Sequence, residues 1–233
     1  MPDWPGYPKA PEPLGPDGQP AGQPGQGAGL GPPWGSAGFL DAHLLDQRVV
    51  RLWGKLDDSA VSRACAELMA LDATGDSAVA LYVGSCDGPI DAALSIVDTI
   101  DLLGVPVNIT ALGRAEGAAV GIVASGARRL AAPHSQFHLS EPQVTVSGSA
   151  TQLAAWAEHH RSQVERYVAR LAAATRRQME HVEADLSIGR WLSADDAVAY
   201  GLVDEVWAPG PRPSSGAGQD GPERPFGFGP RGT

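Results

Sequence analysis

Apolar residues along the middle of the chain follow two alternating periods. Runs of strand length occupy Arg48–Trp53, Ala78–Val83, Val105–Leu112, Arg129–Ala132 and Ser135–Leu139, and stretches of this length and composition suit strands. Between the first two runs Val61, Ala64, Cys65, Leu68 and Leu71 share one side of a 3.6-residue helix; Ile90, Ala93, Leu94, Val97 and Ile100 do the same after the second. The alternation predicts a mainly parallel sheet joined by crossover helices, with chemistry gathered at strand ends and the loops that follow. Gly84–Pro89 and Gly113–Gly117 read as two such turns. A longer helix is predicted from about Ala150, with Leu153, Trp156, Ala157, His160, Val164, Tyr167, Val168 and Leu171 on one face. That stripe fits core packing and packing against another subunit equally well. Ser193 is placed to cap a last helix, with Asp196 completing a capping-box-like pair and Gly201 ending it, before Leu202–Trp207 closes the fold as a strand.

Composition sets the limits of this patterned stretch. Ten of the 20 prolines lie in Met1–Ser36 and six in Pro209–Thr233, where glycine is also dense. Such segments bury too little apolar surface to offset the entropy lost on ordering, so residues 1–36 and 209–233 are expected to be disordered tails around one domain at 37–208. That domain carries nearly all of the net charge of -10, which argues against nucleic-acid and anionic-membrane partners. Cys65 and Cys86 make no disulfide scaffold, and no metal-type spacing joins them to the six histidines. A soluble protein of the reducing cytoplasm, without metal or other cofactor, is expected.

Several segments, in order and at nearly constant spacing, resemble the proteolytic subunit of the ATP-dependent Clp protease. They are Arg48–Gly54 (RVVRLWG), Leu81–Gly88 (LYVGSCDG), Ser95–Thr99 (SIVDT), Gly113–Arg128 (GRAEGAAVGIVASGAR), Ser135–Pro142 (SQFHLSEP) and Trp191–Glu205 (WLSADDAVAYGLVDE). The likeness spans Phe39–Val206. It implies an α/β spiral of strand-strand-helix units, shared with crotonase-like enzymes, from which a long handle helix protrudes. It also implies where a serine-peptidase triad would stand: serine at Gly117, histidine at Ser140 and aspartate at Gly189. A serine nucleophile needs an imidazole to take its proton and a third group to orient that imidazole, and none of the three positions supplies its part. His138 shares a strand face with Ser140, but two residues displace it by about 6 to 7 Å. Asp185, Asp195 and Asp196 are the nearest acids to Gly189 and read as solvated or capping groups.

The resemblance leaves a backbone remnant, because an oxyanion hole uses N–H groups rather than side chains; Gly88 and Ala118 match its positions. Beside it, Asp87 reads as a turn residue and Cys86 as a small half-buried thiol. The reading that follows is an inactive subunit with a structural or regulatory role in a Clp-type ring, mixed with an active paralogue. The family's axial loop, which engages an unfoldase ATPase, has no recognisable counterpart before Phe39, which counts against ATPase docking. A crotonase-like enzyme is the alternative, with Glu116 or Glu141 as acid or base beside an acyl thioester. A residual serine-type peptidase ranks third.

Overall fold

A computed structural model describes residues 37–142 and 144–207, with side chains from residue 41 onward; the expected tails lie outside the described residues. Contacts divide the chain at Leu40 and Asp41, inside the first helix, and every other element belongs to the unit that begins at Asp41. The elements run α1 (Ala37–Asp46), β1 (Val49–Lys55), α2 (Asp58–Ala73), β2 (Val79–Asp87), α3 (Ile90–Leu102), β3 (Val107–Glu116), α4 (Ala119–Ala124), β4 (Arg128–Ala131), β5 (Gln136–Leu139), α5 (Ala150–Thr175), α6 (Met179–Ile188), β6 (Arg190–Ser193), α7 (Ala194–Tyr200) and β7 (Glu205–Val206).

Strands β1, β2, β3, β4 and β7 lie side by side in parallel. Val49, Val50 and Leu52 of β1 and every residue from Val79 to Gly84 of β2 are buried, the near-continuous apolar pattern expected of strands covered on both faces. The predicted alternation and the spiral of strand-strand-helix units are both present.

The two glycine-rich segments read as turns behave differently. Gly54 (φ 80°), Ser85 (φ 47°) and Gly113 (φ 77°) occupy the left-handed region on three neighbouring strands, and the register slips between Trp53 and Lys55 and between Gly84 and Cys86. A bulge bends a strand without ending it, so β2 continues to Asp87 and β3 to Glu116. The strand ends past this line form a second patch of sheet. Asn108–Ala111 of β3 pair with β4, whereas Arg114–Glu116 pair with β5, to which β6 adds antiparallel. Glycine marked the right places there, but it marked kinks.

Helix α5 is the longest element, 26 residues or about 39 Å. Ser149 caps it and Gln152 answers in a capping box. Its halves differ: Ala150–His159 are all exposed, whereas Tyr167, Val168, Leu171 and Ala172 are buried in the core. The stripe seen in the sequence therefore serves as core over one half and as an open face over the other. The capping box at Ser193 and Asp196 and the left-handed Gly201 form as expected, while the closing strand shrinks to Glu205–Val206. Among the described residues no helix is long and apolar enough to cross a membrane.

Candidate functional site at the bent strand ends

The second patch of sheet brings the ends of β2, β3, β5 and β6 together, and with them most of the residues singled out above. Gly117 follows β3 in the left-handed region (φ 51°), a conformation that costs glycine least. Its N–H donates to the His138 carbonyl at 3.1 Å, and its own carbonyl accepts the Tyr167 hydroxyl at 2.7 Å. A helix core residue thus pins the turn that opens α4. The same ring lies so close to Gly121 that a Cβ there would come within 2.6 Å of it.

A Cβ at Gly117 would stand 3.4 Å from Asp87 Oδ1 and 3.7 Å from Ser140 Oγ. The space beside this turn is therefore lined by a carboxylate and a hydroxyl. Asp87 Oδ1 also accepts the N–H of Gly88 at 2.8 Å, while the Asp87 carbonyl accepts Leu56 N–H at 2.9 Å. Ala118 takes a helical conformation at the start of α4, which is buried throughout. A Cβ on Gly88 would lie 2.5 Å from that of Leu56, so only glycine fits.

His138 points to a different corner. Its ring stacks on Trp191 with centroids 4.2 Å apart and planes 7° from parallel, a contact set by the register that pairs the two residues across β5 and β6. Its Nδ1 lies 3.6 Å from Glu116 Oε2, and Glu116 is also paired with Arg114. A Cβ at Gly189, itself left-handed (φ 68°), would come within 3.2 Å of His138 Nε2. His138 makes no hydrogen bond to Ser140 among the described residues. Glu141 is exposed and lines a separate groove of about 370 Å³, shared with Val144, Val146, Leu153, Trp156 and His160. The His160 Nε2 sits 3.1 Å from the Pro142 carbonyl, and its buried Nδ1 has no hydrogen-bond partner among the described residues.

Asp185 is not the solvated acid that its sequence context suggests. It is buried, accepting the Tyr200 hydroxyl at 2.9 Å and Arg190 at 3.0 Å, while the Arg177 guanidinium lies 3.9 Å over the Tyr200 ring. Burial, followed by the hydrogen bond and charge of Asp185, pushes the Tyr200 hydroxyl up to about 12. Cys86 is 1% exposed rather than half-buried; burial, with the Asp87 charge behind it, pushes its thiol up to about 12. A thiol held protonated is a poor nucleophile. Among the described residues no group of histidines, cysteines and acids could hold a metal ion.

The stack of His138 on Trp191 was invisible in the sequence because β6 carries no strand pattern of its own. Tyr167 sat in the predicted stripe, but only the fold aims its hydroxyl at Gly117.

A family model described as Clp protease matches residues 39–210. The chain is 33% identical over 171 residues to the ATP-dependent Clp protease proteolytic subunit 3 of Rhodococcus jostii (strain RHA1), covering 72% of this chain and 85% of that one. It is 33% identical over 169 residues to the ATP-dependent Clp protease proteolytic subunit 1 of Mycobacterium leprae (strain TN), covering 70% and 83%. With the ATP-dependent Clp protease proteolytic subunit of Streptococcus pneumoniae (strain 70585) it shares 31% over 175 residues, covering 72% and 88%.

Proposed function

The chain belongs to the Clp protease family, and on that footing we propose that it is a non-catalytic subunit that joins Clp-type rings and changes them without adding an active site. Members of the family form oligomeric rings. The observation that carries the reading is the turn at Gly117. At the place taken to hold the family's serine there is no side chain, and the groups facing it are the Asp87 carboxylate and the Ser140 hydroxyl. Neither is an imidazole, the base with which the triad activates its serine. Ser140 is itself the position taken to hold the histidine, and Gly189 offers no carboxylate to orient an imidazole.

The assembly half of the proposal is supported by α5. Leu153 and Trp156 on its exposed half, with Val144 and Val146 beside it, leave apolar surface open, as a subunit contact requires. A mixed ring with an active paralogue of the host is the arrangement we favour.

Purified protein mixed or co-expressed with each active Clp proteolytic subunit of its host, then weighed by native mass spectrometry, is expected to give rings containing both chains. The chain alone is expected to leave fluorogenic peptides uncut. Rings that never include it would remove the assembly half, and turnover by the chain alone would remove the other.

A further inference from the structure

The contact between Asp87 and Gly88 goes beyond a missing triad. Asp87 Oδ1 lies 2.8 Å from the Gly88 nitrogen and also 3.4 Å from where a Cβ on Gly117 would stand. The Gly88 N–H is thus aimed at an anionic oxygen beside the Gly117 turn. In a serine hydrolase such a donor serves the oxygen of the tetrahedral adduct, which must sit within about 3 Å of it. Here Asp87 Oδ1 stands in for that oxygen.

We infer that the Asp87 carboxylate is an internal anion that occupies the backbone donor of Gly88 and closes it to any external oxyanion. This is a barrier to catalysis separate from the absent side chains. The inference rests on the reading that Gly88 is the remnant of an oxyanion hole. Three features hold the carboxylate in place. Strand β2 runs on to Asp87 instead of turning before it. The Asp87 carbonyl is tied to Leu56 N–H, which fixes the residue's backbone. Gly88 stands against Leu56, so close that a Cβ on it would lie 2.5 Å from the Leu56 Cβ, which keeps the donor beside Asp87. An incoming acyl oxygen would have to displace a charge-assisted hydrogen bond and then develop its own negative charge beside the displaced carboxylate, which like-charge repulsion opposes.

Two measurements on the full chain test this. The first is amide exchange at Gly88, in the wild-type chain and in Asp87→Ala. The Gly88 protection factor is expected to fall at least about tenfold in the variant, with Leu56 unchanged because its bond goes to the Asp87 backbone. Equal protection at Gly88 would overturn the inference. The second compares Gly117→Ser/Ser140→His/Gly189→Asp with and without Asp87→Ala, read as the rate of fluorophosphonate labelling of the new serine. Labelling about 100-fold faster with Asp87 removed is expected, since one oxyanion donor is worth that much. Equal rates in two reactive variants would overturn it. If neither variant labels while Gly88 loses protection on Asp87→Ala, the occupied donor stands and it is the triad alignment that has failed.

Discussion

Charged side chains of the scaffold and the carboxylates at the bent strand ends take their nearest partners from different ranges of sequence. In the scaffold, partners far apart in sequence meet and lock elements together. Arg129 of β4 donates to the Ala174 carbonyl at the end of α5, to the Gly201 carbonyl after α7, and to Asp204. Asp185, Tyr200, Arg177 and Arg190 tie α6 to α7 in the same manner. At the strand ends the carboxylates meet their nearest partners close by in sequence: Asp87 caps the next residue's N–H, and Glu116 pairs with Arg114, two residues back, with His138 farther off at 3.6 Å. A catalytic site holds partners ready to exchange a proton with a substrate; here Asp87 and Glu116 are each engaged with a neighbour. The difference teaches that the architecture and the chemistry of this chain are separable.

Variants can break that comparison. The largest stability effect is expected from Arg129→Ala, which strips two carbonyls of this donor and leaves Asp204 only the Arg129 backbone N–H; it should cost about 3 kcal/mol in urea unfolding. Asp87→Ala, by contrast, is expected to stay within about 0.5 kcal/mol of wild type. A severe loss at Asp87 would mean that the strand ends are part of the scaffold. Tyr167→Phe sits between the two regions, since its hydroxyl alone crosses from the core to Gly117; about 1 kcal/mol of destabilisation is expected.

Protonation sharpens the same contrast. Tyr200 is held neutral to about pH 12 by burial and Asp185, against an ordinary value near 10. The folded state therefore binds this proton more tightly than the unfolded state. Its contribution to stability is complete below pH 10 and is lost as pH rises from about 10 to 12. Ultraviolet titration should show phenols ionising late, since burial holds Tyr167 and Tyr82 up as well, and Tyr200→Phe should remove the step near pH 12. The smallest effect concerns Cys86: with its thiol at about 12, iodoacetamide at pH 8 should leave it unmodified until the protein unfolds.

How much of this could be read beforehand follows from the range of the forces involved. The helix caps at Ser193 and Gly201 rest on residues within a few positions, and both were legible. Strands β1 to β5 declared themselves by apolar runs, most plainly β2, where burial on both faces leaves that mark. Helix α6 and strand β6 did not: α6 buries only Val182, Asp185 and Leu186, and β6 buries one of four residues. Gly84–Pro89 and Gly113–Gly117 read as turns but hold bulges at Ser85 and Gly113, since glycine signals a left-handed residue without saying whether the strand resumes. Gly117, Ser140 and Gly189 were named from the resemblance, but what fills the space around them came from cross-strand register. The seating of His138 against Trp191 and Gly189 is a product of β5 pairing with β6, which short-range pattern cannot show.

The central claim is that this member of the Clp protease family carries no working serine at its strand ends. Intact-mass analysis after treating the full chain with a fluorophosphonate, beside an active family member under identical conditions, tests it most directly. The account predicts an unshifted mass for this chain and a full adduct on the active one. A stoichiometric adduct on this chain, mapped to Ser140 or any other serine of the site, would contradict it.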